Sequence, residues 1–264
     1  MPQLTIGEFS LHYERSGVPG AQPLVFSNSL GATLQVWEPQ LAVFEKRYDV
    51  IRYDMRGHGM SSVPQGPYLV EQLSNDVLGL IDELRLNDVI FCGLSIGGAI
   101  GQWLAMHAPE RFRCFVLSNT AAKFGTLERW TQRIAAVEQG GLAAVVDAIV
   151  NVWFTEAYRT TNPETIARIG EMILSCNPLG YVAACAAVRD VDFREAVTGI
   201  RKPVCIVAGQ HDTSTTMEEA WFLHRSIEGS KFVELPAAHI SNVEAPAKFN
   251  AAVFEFLHEQ GFYG

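Results

Sequence analysis

The stretch VIFCGLSIGG at residues 89–98 decides the fold of this chain. Its first four residues are apolar and lack polar alternation, which is typical of a strand buried on both faces of a parallel sheet. Gly93, Ser95 and Gly97 then form a G-x-S-x-G pattern, and Ile96–His107 has the apolar pattern of a helix. A serine at this position lies on a sharp turn between strand and helix that exposes its hydroxyl. The stretch therefore predicts a nucleophile elbow.

The two glycines of the pattern have a steric reason. Gly93 and Gly97 lie two residues on either side of Ser95, so the turn brings them close to each other and to neighbouring backbone. A Cβ at either position would clash. The free N–H groups at the amino end of the following helix favour negative charge beside the serine. A serine hydroxyl is a weak nucleophile, so this turn also needs an adjacent base.

The rest of the chain alternates strand and helix patterns, which indicates a doubly wound α/β sheet. Two short segments at the start, joined by a turn at Gly7-Glu8, predict an antiparallel hairpin. The predicted strands are Leu4–Ile6, Phe9–Arg15, Leu24–Ser27, Tyr48–Tyr53, Val89–Cys92, Cys114–Ser118, Val204–Ala208 and Phe232–Leu235. Besides the helix after Ser95, the helical patterns of this region are Val70–Leu84, Met217–Ile227 and Ala245–Glu259.

One long stretch breaks this alternation. Between residues 124 and 195 there is no convincing strand, and the sequence divides the chain into a core of residues 1–123 and 196–264 with a helical cap inserted at 124–195. The helical windows of the cap are Thr126–Gln139, Leu142–Trp153, Thr161–Ser175 and Pro178–Ala187. The cap is either a stabilising decoration or a lid over the carboxyl ends of the strands, where open α/β sheets bind ligands.

Candidate partners for the serine follow later strands, in the order serine, acid, histidine that this topology requires. Asp212 lies in the loop just after the predicted strand Val204–Ala208. Asp190 and Asp192 are alternatives for the acid, although both fall within the cap. His239 follows the last predicted strand and precedes the last helix, which makes it the best placed of the seven histidines.

Acyl transfer also needs hydrogen-bond donors for a developing oxyanion. One candidate is the backbone N–H of Ile96, the residue after the serine. The other is the N–H of Leu30 in the loop Ser27–Ala32, which is called the oxyanion loop below. Backbone donors place no demand on the side chain, so this assignment depends on position alone.

The composition excludes several other classes of protein. Hydrophobic residues make up 48% of the 264 residues, which is enough for a full core and excludes disorder as the main state. The 20 basic and 29 acidic residues give a net charge of −9, which disfavours nucleic-acid binding. Met1–Leu4 lacks a basic segment followed by an apolar one, so we expect no signal peptide. No apolar run approaches the roughly 18–20 residues of a membrane span.

The cysteines indicate a reducing environment. An odd count of 5 without C-x-x-C spacing argues against both a disulfide framework and a zinc site. Most of these cysteines lie in apolar runs, so we expect buried free thiols and a cytoplasmic protein. They are Cys92, Cys114, Cys176, Cys185 and Cys205.

Together these motifs resemble the α/β-hydrolase family over the whole chain. The residues that carry the likeness are the elbow, the stretch DMRGHGMS at 54–61 and the stretch GQHD at 209–212. The loop at 54–61 is structural in that family, so the resemblance implies no catalytic role for His58. Many members have His-Gly in the oxyanion loop, where this chain has Asn28-Ser29.

A narrower resemblance is to the 3-oxoadipate enol-lactonases of bacterial aromatic-acid catabolism. The stretches SNSLG at 27–31, GQW at 101–103, DTSTT at 212–216 and PAAHISNVE at 236–244 carry it. It implies a five-membered enol-lactone substrate with one acetate arm and a dicarboxylate product, 3-oxoadipate. It also implies attack by Ser95 with His239 as general base and Asp212 as its acid partner. Neither a metal nor an organic cofactor is needed.

An anionic substrate requires local positive charge in a chain of net charge −9. The cap offers it, and Arg133 is the preferred contact because it lies one helical turn from Trp130. Arginine suits bidentate pairing with a carboxylate better than lysine does. Trp130 and Trp153 are candidates for the pocket wall, although aromatic packing in the core explains them equally well. The cap arginines are Arg129, Arg133, Arg159, Arg168, Arg189 and Arg194.

A serine, acid and histidine do not by themselves choose a reaction. Another small-molecule carboxylesterase or lactonase, or a carbon–carbon bond hydrolase, would use the same scaffold. A haloalkane dehalogenase is disfavoured because it would have an aspartate in place of Ser95. A protein of a different class, a non-catalytic ligand sensor on this fold, would also retain the pocket.

Overall fold

One sheet organises the chain, for which a computed structural model describes residues 3–6 and 9–262. The strands run in the spatial order β1-β2-β4-β3-β5-β6-β7-β8. β2 pairs antiparallel with β1 and β4, and the remaining described pairs are parallel. The strands are β1 (Gln3–Ile6), β2 (Phe9–Gly17), β3 (Pro23–Ser27), β4 (Asp49–Tyr53), β5 (Val89–Leu94), β6 (Phe112–Ser118), β7 (Val204–Gly209) and β8 (Lys231–Leu235).

This architecture confirms the predicted mostly parallel α/β sheet with an antiparallel pair at its start. The predicted turn at Gly7-Glu8 lies outside the described residues. The strands β5 and β7 are buried along their whole length, which explains their continuous apolar sequences. β4 is also buried throughout, although it contains Asp49 and Arg52. β8 forms the end of the sheet and is only partly buried.

Helices of the core and of the cap follow the strands in the expected order. The helices are α1 (Glu38–Phe44), α2 (Val70–Glu83), α3 (Ile96–His107), α4 (Leu127–Gly140), α5 (Val146–Trp153), α6 (Glu156–Thr161), α7 (Pro163–Leu174), α8 (Pro178–Asp190), α9 (Met217–Ser226), α10 (Ser241–Glu244) and α11 (Pro246–Glu259). The sequence patterns missed α1, α6 and α10, because helices of four to seven residues are too short to display a period.

Two predicted helices of the cap begin later than their windows. The window Leu142–Trp153 begins with a 3₁₀ turn at Leu142–Ala144, and α5 starts only after it. The window Thr161–Ser175 corresponds to α7, which begins at Pro163, while Thr161 ends α6. Proline disfavours helical backbone at the preceding residue but fits the first helical position, so the break falls at Asn162.

The helices α4–α8 leave and re-enter the core at one place. An antiparallel bridge pairs Lys123 with Asp192, and their side chains form an ion pair of 3.1 Å. The Phe193 amide donates to the Ala122 carbonyl at 2.8 Å. These contacts bring the two ends of the inserted segment together. The division into a core and a cap at residues 124–195 stays a prediction.

No single helix in the described part of the chain is long and apolar enough to cross a membrane. α7 and α8 meet the length and composition requirements only as a pair bent by 94°. The five cysteines are free and buried, as expected. Burial raises the pKa of Cys205 to about 12, so this thiol stays protonated at neutral pH.

The elbow depends on close backbone packing. A Cβ on Gly93 would lie 2.1 Å from the Gly97 carbonyl oxygen, and one on Gly97 would lie 2.4 Å from the Ser27 carbonyl oxygen. Neither distance is sterically possible, so β5, α3 and the end of β3 can meet only at glycines. Gly170 on α7 offers a contrast, since an added Cβ there meets nothing within 4 Å.

We expect Gly93→Ala to lower the Tm by about 5 °C or more, because a methyl group at this position forces the elbow backbone apart. The matched control is Gly170→Ala, which should raise the Tm by about 1–3 °C through better helix propensity. Differential scanning calorimetry of both variants measures the contrast. Equal Tm values for Gly93→Ala and wild type would contradict the packing argument.

Candidate active site

Polar residues follow the carboxyl ends of four neighbouring strands. Ser95, Asn119, Asp212 and His239 come after β5, β6, β7 and β8 respectively. Because these strands are parallel neighbours, their carboxyl ends lie at one edge of the sheet. Parallel α/β sheets bind ligands at this edge. We therefore take these residues as the centre of the candidate site.

Ser95 adopts a backbone conformation that is unusual for a residue with a side chain. Its φ is +59° and its ψ is −115°. Such strain persists only where surrounding contacts hold it. The Ser95 amide donates to the Ser118 carbonyl at 2.9 Å, and the Thr120 hydroxyl donates to the Ser95 carbonyl at 2.7 Å. The turn thus presents Ser95 at the amino end of α3.

Asp212 and His239 form a buried pair. His239 Nδ1 lies 2.8 Å from Asp212 Oδ2, and the two residues are 2% and 5% exposed. A carboxylate at this distance is an acceptor, so Nδ1 carries the proton and Nε2 is left as the free nitrogen. The carboxylate therefore fixes the tautomer and the orientation of the imidazole. A histidine held in this way has a nitrogen available for proton transfer.

The Asp212 carboxylate receives several further hydrogen bonds. The Thr215 hydroxyl donates at 2.8 Å and Asn119 Nδ2 at 3.0 Å, both to Oδ2. The amides of Ser214 and Thr215 donate to Oδ1 at 2.7 and 3.0 Å. Burial raises the pKa of Asp212, but His239 and these donors outweigh it and leave the pKa lowered. Asp212 therefore stays ionised at neutral pH.

Sequence reasoning missed Asn119 and Thr215. Asn119 Nδ2 also donates to the Ala238 carbonyl at 3.1 Å, and its Oδ1 accepts from Ser241 Oγ at 2.6 Å. Asn119 thus links β6 to the loops on either side of His239. The sequence did contain a signal for Asn119, because this residue follows the end of β6 just as Asp212 follows the end of β7. Thr215 had no such signal, since its role depends on how the loop folds.

The alternative acids from the cap are occupied elsewhere. Asp190 pairs with the adjacent Arg189 at 2.6 Å. Asp192 pairs with Arg194 at 2.7 Å and with Lys123. Within the described residues, no group of three or more His, Cys, Asp or Glu side chains has the arrangement of a metal site.

The oxyanion loop lies directly against the elbow. The Gly97 amide donates to the Asn28 carbonyl at 3.2 Å, and Asn28 Nδ2 donates to the Tyr53 carbonyl at 2.8 Å. The N–H groups of Leu30 and Ile96 donate to no other group in the described part of the chain. Two backbone donors therefore remain free on the two segments that flank Ser95.

The cap contacts the His239 loop through backbone and carboxylate. The Ile240 amide donates to the carbonyl of Trp153, a buried residue at the end of α5, at 3.1 Å. The Glu244 carboxylate accepts from the Ala238 amide at 2.8 Å and from the Thr155 amide at 3.2 Å. Ile240, which follows His239, is thus bonded directly to the end of α5. Ala238, which precedes His239, is linked through Glu244 to Thr155 at the start of α6.

Arg133 lies on α4 between two aromatic side chains. Its guanidinium carbon lies 5.4 Å from the centre of the Trp130 ring, which is a cation–π distance. Its Nη1 is 3.5 Å from the hydroxyl of Tyr181. Trp130 is buried, and its indole N–H donates to the Phe124 carbonyl at 2.7 Å. These two aromatic contacts hold the guanidinium group of Arg133 without neutralising its charge.

Four of the six cap arginines pair with a carboxylate or donate to a backbone carbonyl, and in the described part of the chain Arg129 and Arg133 do neither. Arg168 pairs with Glu38, Arg189 with Asp190 and Arg194 with Asp192, while Arg159 donates to the carbonyls of Asn151 and Phe154. Within the described residues, Arg129 and Arg133 have no carboxylate partner, and both are partly buried on α4. Burial and the neighbouring Arg133 lower the pKa of Arg129, against the influence of Glu219 and Asp212. This arrangement suits an anion from outside the chain.

Residues 22–156 match the family model described as the alpha/beta hydrolase fold. The chain belongs to this family, and it is a hydrolase related to enol-lactonases. It is 41% identical to 3-oxoadipate enol-lactonase 2 of Acinetobacter baylyi, over 95% of this chain and 94% of that one. The identity to 3-oxoadipate enol-lactonase 1 of the same organism is 35%, over 91% and 90%.

A solved enol-lactonase structure is also similar to this chain, in both fold and sequence. The enol-lactonase from Burkholderia xenovorans LB400 superposes with a TM-score of 0.96 and 39% identity, covering 97% of this chain and all of that one. The agreement extends over the inserted helices as well as the sheet.

We expect Thr215→Val to lower kcat for ester hydrolysis about tenfold, because it removes one donor to the charged Asp212 carboxylate. The loss of that donor also raises the pKa of Asp212. The matched control is Thr213→Val, the same change at an exposed position two residues away. Steady-state kinetics on p-nitrophenyl acetate measures both variants. An unchanged kcat for Thr215→Val would mean that its hydroxyl does not support the pair.

Proposed function

We propose that the protein is a 3-oxoadipate enol-lactonase that opens the lactone ring through an acyl-enzyme at Ser95. The observation that carries the proposal is the location of the Ser95 turn and the Asp212–His239 pair at one edge of the sheet. The likeness to two enol-lactonases of Acinetobacter baylyi supports the choice of substrate. The unpaired arginines of α4 fit the negative charge of that substrate.

In the first half of the reaction, Ser95 Oγ attacks the ring carbonyl carbon while His239 Nε2 takes the hydroxyl proton. The Asp212 carboxylate stabilises the imidazolium that forms. The negative charge that develops on the carbonyl oxygen is stabilised by the N–H groups of Leu30 and Ile96. The ring C–O bond then breaks and releases an enol oxygen, which His239 protonates. The enol becomes the ketone, and the acyl group stays on Ser95.

In the second half, water attacks the acyl-enzyme, whose acyl chain now carries the ketone. His239 removes a proton from water, and the resulting hydroxide attacks the acyl carbonyl carbon. The same two N–H groups stabilise the second oxyanion. The bond to Ser95 Oγ breaks, His239 returns the proton to the serine, and the dicarboxylate leaves.

The cap supplies substrate binding in this proposal. Arg133 binds the acetate carboxylate of the lactone, with Arg129 adding positive charge one helical turn away. Trp130 and Trp153 belong to the wall of the pocket. The inserted segment at residues 124–195 thus acts as a lid that carries specificity, while the chemistry stays with the core. The five buried free thiols support a location in the reducing cytoplasm.

We expect the purified protein to consume 3-oxoadipate enol-lactone, followed as the loss of its ultraviolet absorbance. Ser95→Ala should reduce kcat by several orders of magnitude and leave the Tm unchanged, because no other nucleophile lies on the turn. A fluorophosphonate probe should label wild type and not the variant. Turnover of p-nitrophenyl acetate without lactone turnover would indicate a different esterase. Absence of both turnover and labelling would indicate a ligand sensor.

We expect Arg133→Ala to raise KM for the lactone more than it lowers kcat, since a carboxylate contact persists from substrate to transition state. The loss should be about 2–4 kcal/mol in kcat/KM, as for a charge-assisted pair that loses one partner. Activity on neutral p-nitrophenyl acetate should change little.

The measurement is the ratio of kcat/KM for the lactone to that for the neutral ester. Arg168→Ala serves as the control, because Arg168 is exposed and already lies near Glu38. An unchanged ratio in Arg133→Ala would assign Arg133 to the surface and make Arg129 the next variant to test.

A further inference from the structure

The imidazole of His58 contacts the backbone of the oxyanion loop. His58 Nε2 lies 3.0 Å from the Gly31 amide nitrogen, and the ring is 1% exposed. His58 Nδ1 lies 3.2 Å from the Arg56 carbonyl oxygen. Gly31 is the residue next to Leu30, whose amide is the proposed oxyanion donor. His58 belongs to the loop after β4, and this contact joins that loop to the oxyanion loop.

The two contacts determine the protonation of the ring. A backbone amide can only donate, so Nε2 must be an unprotonated acceptor. A carbonyl oxygen can only accept, so Nδ1 must carry the proton. His58 is thus neutral and held in its Nδ1–H form. Burial lowers the pKa of His58, against the Arg56 carbonyl and Asp54, which is consistent with a neutral ring.

The loop that carries His58 is braced independently of the site. Asp54 accepts from the Leu34 amide at 2.8 Å and from the Met60 amide at 3.0 Å. The His58 amide donates to the Met55 carbonyl at 2.9 Å. These bonds hold the imidazole as a fixed acceptor, so it can orient the oxyanion loop that it contacts.

Among the residues that the structure describes, the Gly31 amide has no acceptor other than His58. Its φ is +83°, and an added Cβ would lie 3.0 Å from the Tyr181 ring, so both conformation and space restrict this residue. The Ala32 amide donates to the Ser29 carbonyl at 3.1 Å, which closes the turn around Leu30. With the Gly31 amide bound to His58 and the Ala32 amide bound to Ser29, the Leu30 amide between them has no acceptor within the described residues.

We propose that His58 is a positioning residue for the oxyanion hole: it binds the Gly31 amide and thereby fixes the Leu30 amide toward the carbonyl attacked by Ser95. This inference rests on the proposed function. His58 does not touch the substrate, so its loss affects the transition state, in which the oxyanion forms, far more than substrate binding.

Two polar substitutions separate positioning from general support. His58→Asn keeps an amide donor for the Arg56 carbonyl and lacks an acceptor that reaches Gly31. His58→Gln is longer and extends an oxygen toward the position of Nε2. On p-nitrophenyl acetate, we expect His58→Asn to lower kcat at least about tenfold with KM within about twofold, and His58→Gln to recover most of the loss.

A reversible inhibitor that forms an oxyanion provides an independent readout. Ser95 adds to the carbonyl carbon of 1,1,1-trifluoroacetone, its proton passes to His239, and the carbonyl oxygen becomes the anion. The inhibition constant should rise at least about tenfold in His58→Asn and much less in His58→Gln. A kcat and an inhibition constant within about twofold of wild type in His58→Asn would overturn the proposal, as would equal losses in both variants.

A measurement on the wild-type protein covers the case in which the variants unfold. The ¹⁵N resonances of the His58 ring should report a protonated Nδ1 and an unprotonated Nε2 near neutral pH. A protonated Nε2 would overturn the proposal, because it cannot accept from Gly31. Failure of the proposed function is separately visible, since wild type itself would then not consume the lactone, whereas the His58 variants are compared on the neutral ester and the inhibitor.

Discussion

The backbone packing of the elbow against the end of β3 is the constraint on which the site depends. Gly97 has no room for a side chain, because the Ser27 carbonyl oxygen would lie 2.4 Å from its Cβ. This close approach allows the Gly97 amide to donate to the Asn28 carbonyl. The Ser95 turn and the start of the oxyanion loop are therefore held together by main-chain contacts. Oxyanion donors act through fixed geometry, so such a joint contributes to their preorganisation.

A second layer of order comes from buried hydrogen bonds at the carboxyl edge of the sheet. Asn119 uses both ends of its side-chain amide, donating to Asp212 and Ala238 and accepting from Ser118 and Ser241. Polar groups as deeply buried as these would destabilise the fold if left unpaired. The bonds that satisfy them also keep Asp212 ionised and aim His239. Fold stability and the charge of the site thus depend on the same contacts.

The sequence predicted the features that are encoded locally. The elbow, the strand order of the motif residues and the positions of Asp212 and His239 each follow from a short stretch with a steric or topological reason. The Asn162-Pro163 pair marks a break between helices in the sequence, but the predicted window begins at Thr161, two residues before α7, and α6 on the other side of the break is too short to display a period. Thr215, His58 and the free state of Arg133 could not be predicted, because each depends on which distant group the folded chain brings near. The sequence pattern around an arginine on a helix is the same whether or not the folded chain brings a carboxylate near it.

Two positively charged residues, Arg129 and Arg133, lie on α4 of the inserted segment, and other residues of this segment contact the loop of His239. Like charges one helical turn apart repel, and desolvation adds to the cost of Arg129 and Arg133. Glu219 and Asp212 influence the pKa of Arg129, but within the described residues no carboxylate pairs with either arginine, whereas Arg168, Arg189 and Arg194 each have a carboxylate partner. In the proposed function, binding of the anionic substrate removes this repulsion and so stabilises α4. Trp153 and Thr155 join the inserted helices to the loop of His239, directly at Ile240 and through Glu244. On that proposal, anion binding at α4 and the orientation of His239 involve one connected set of helices.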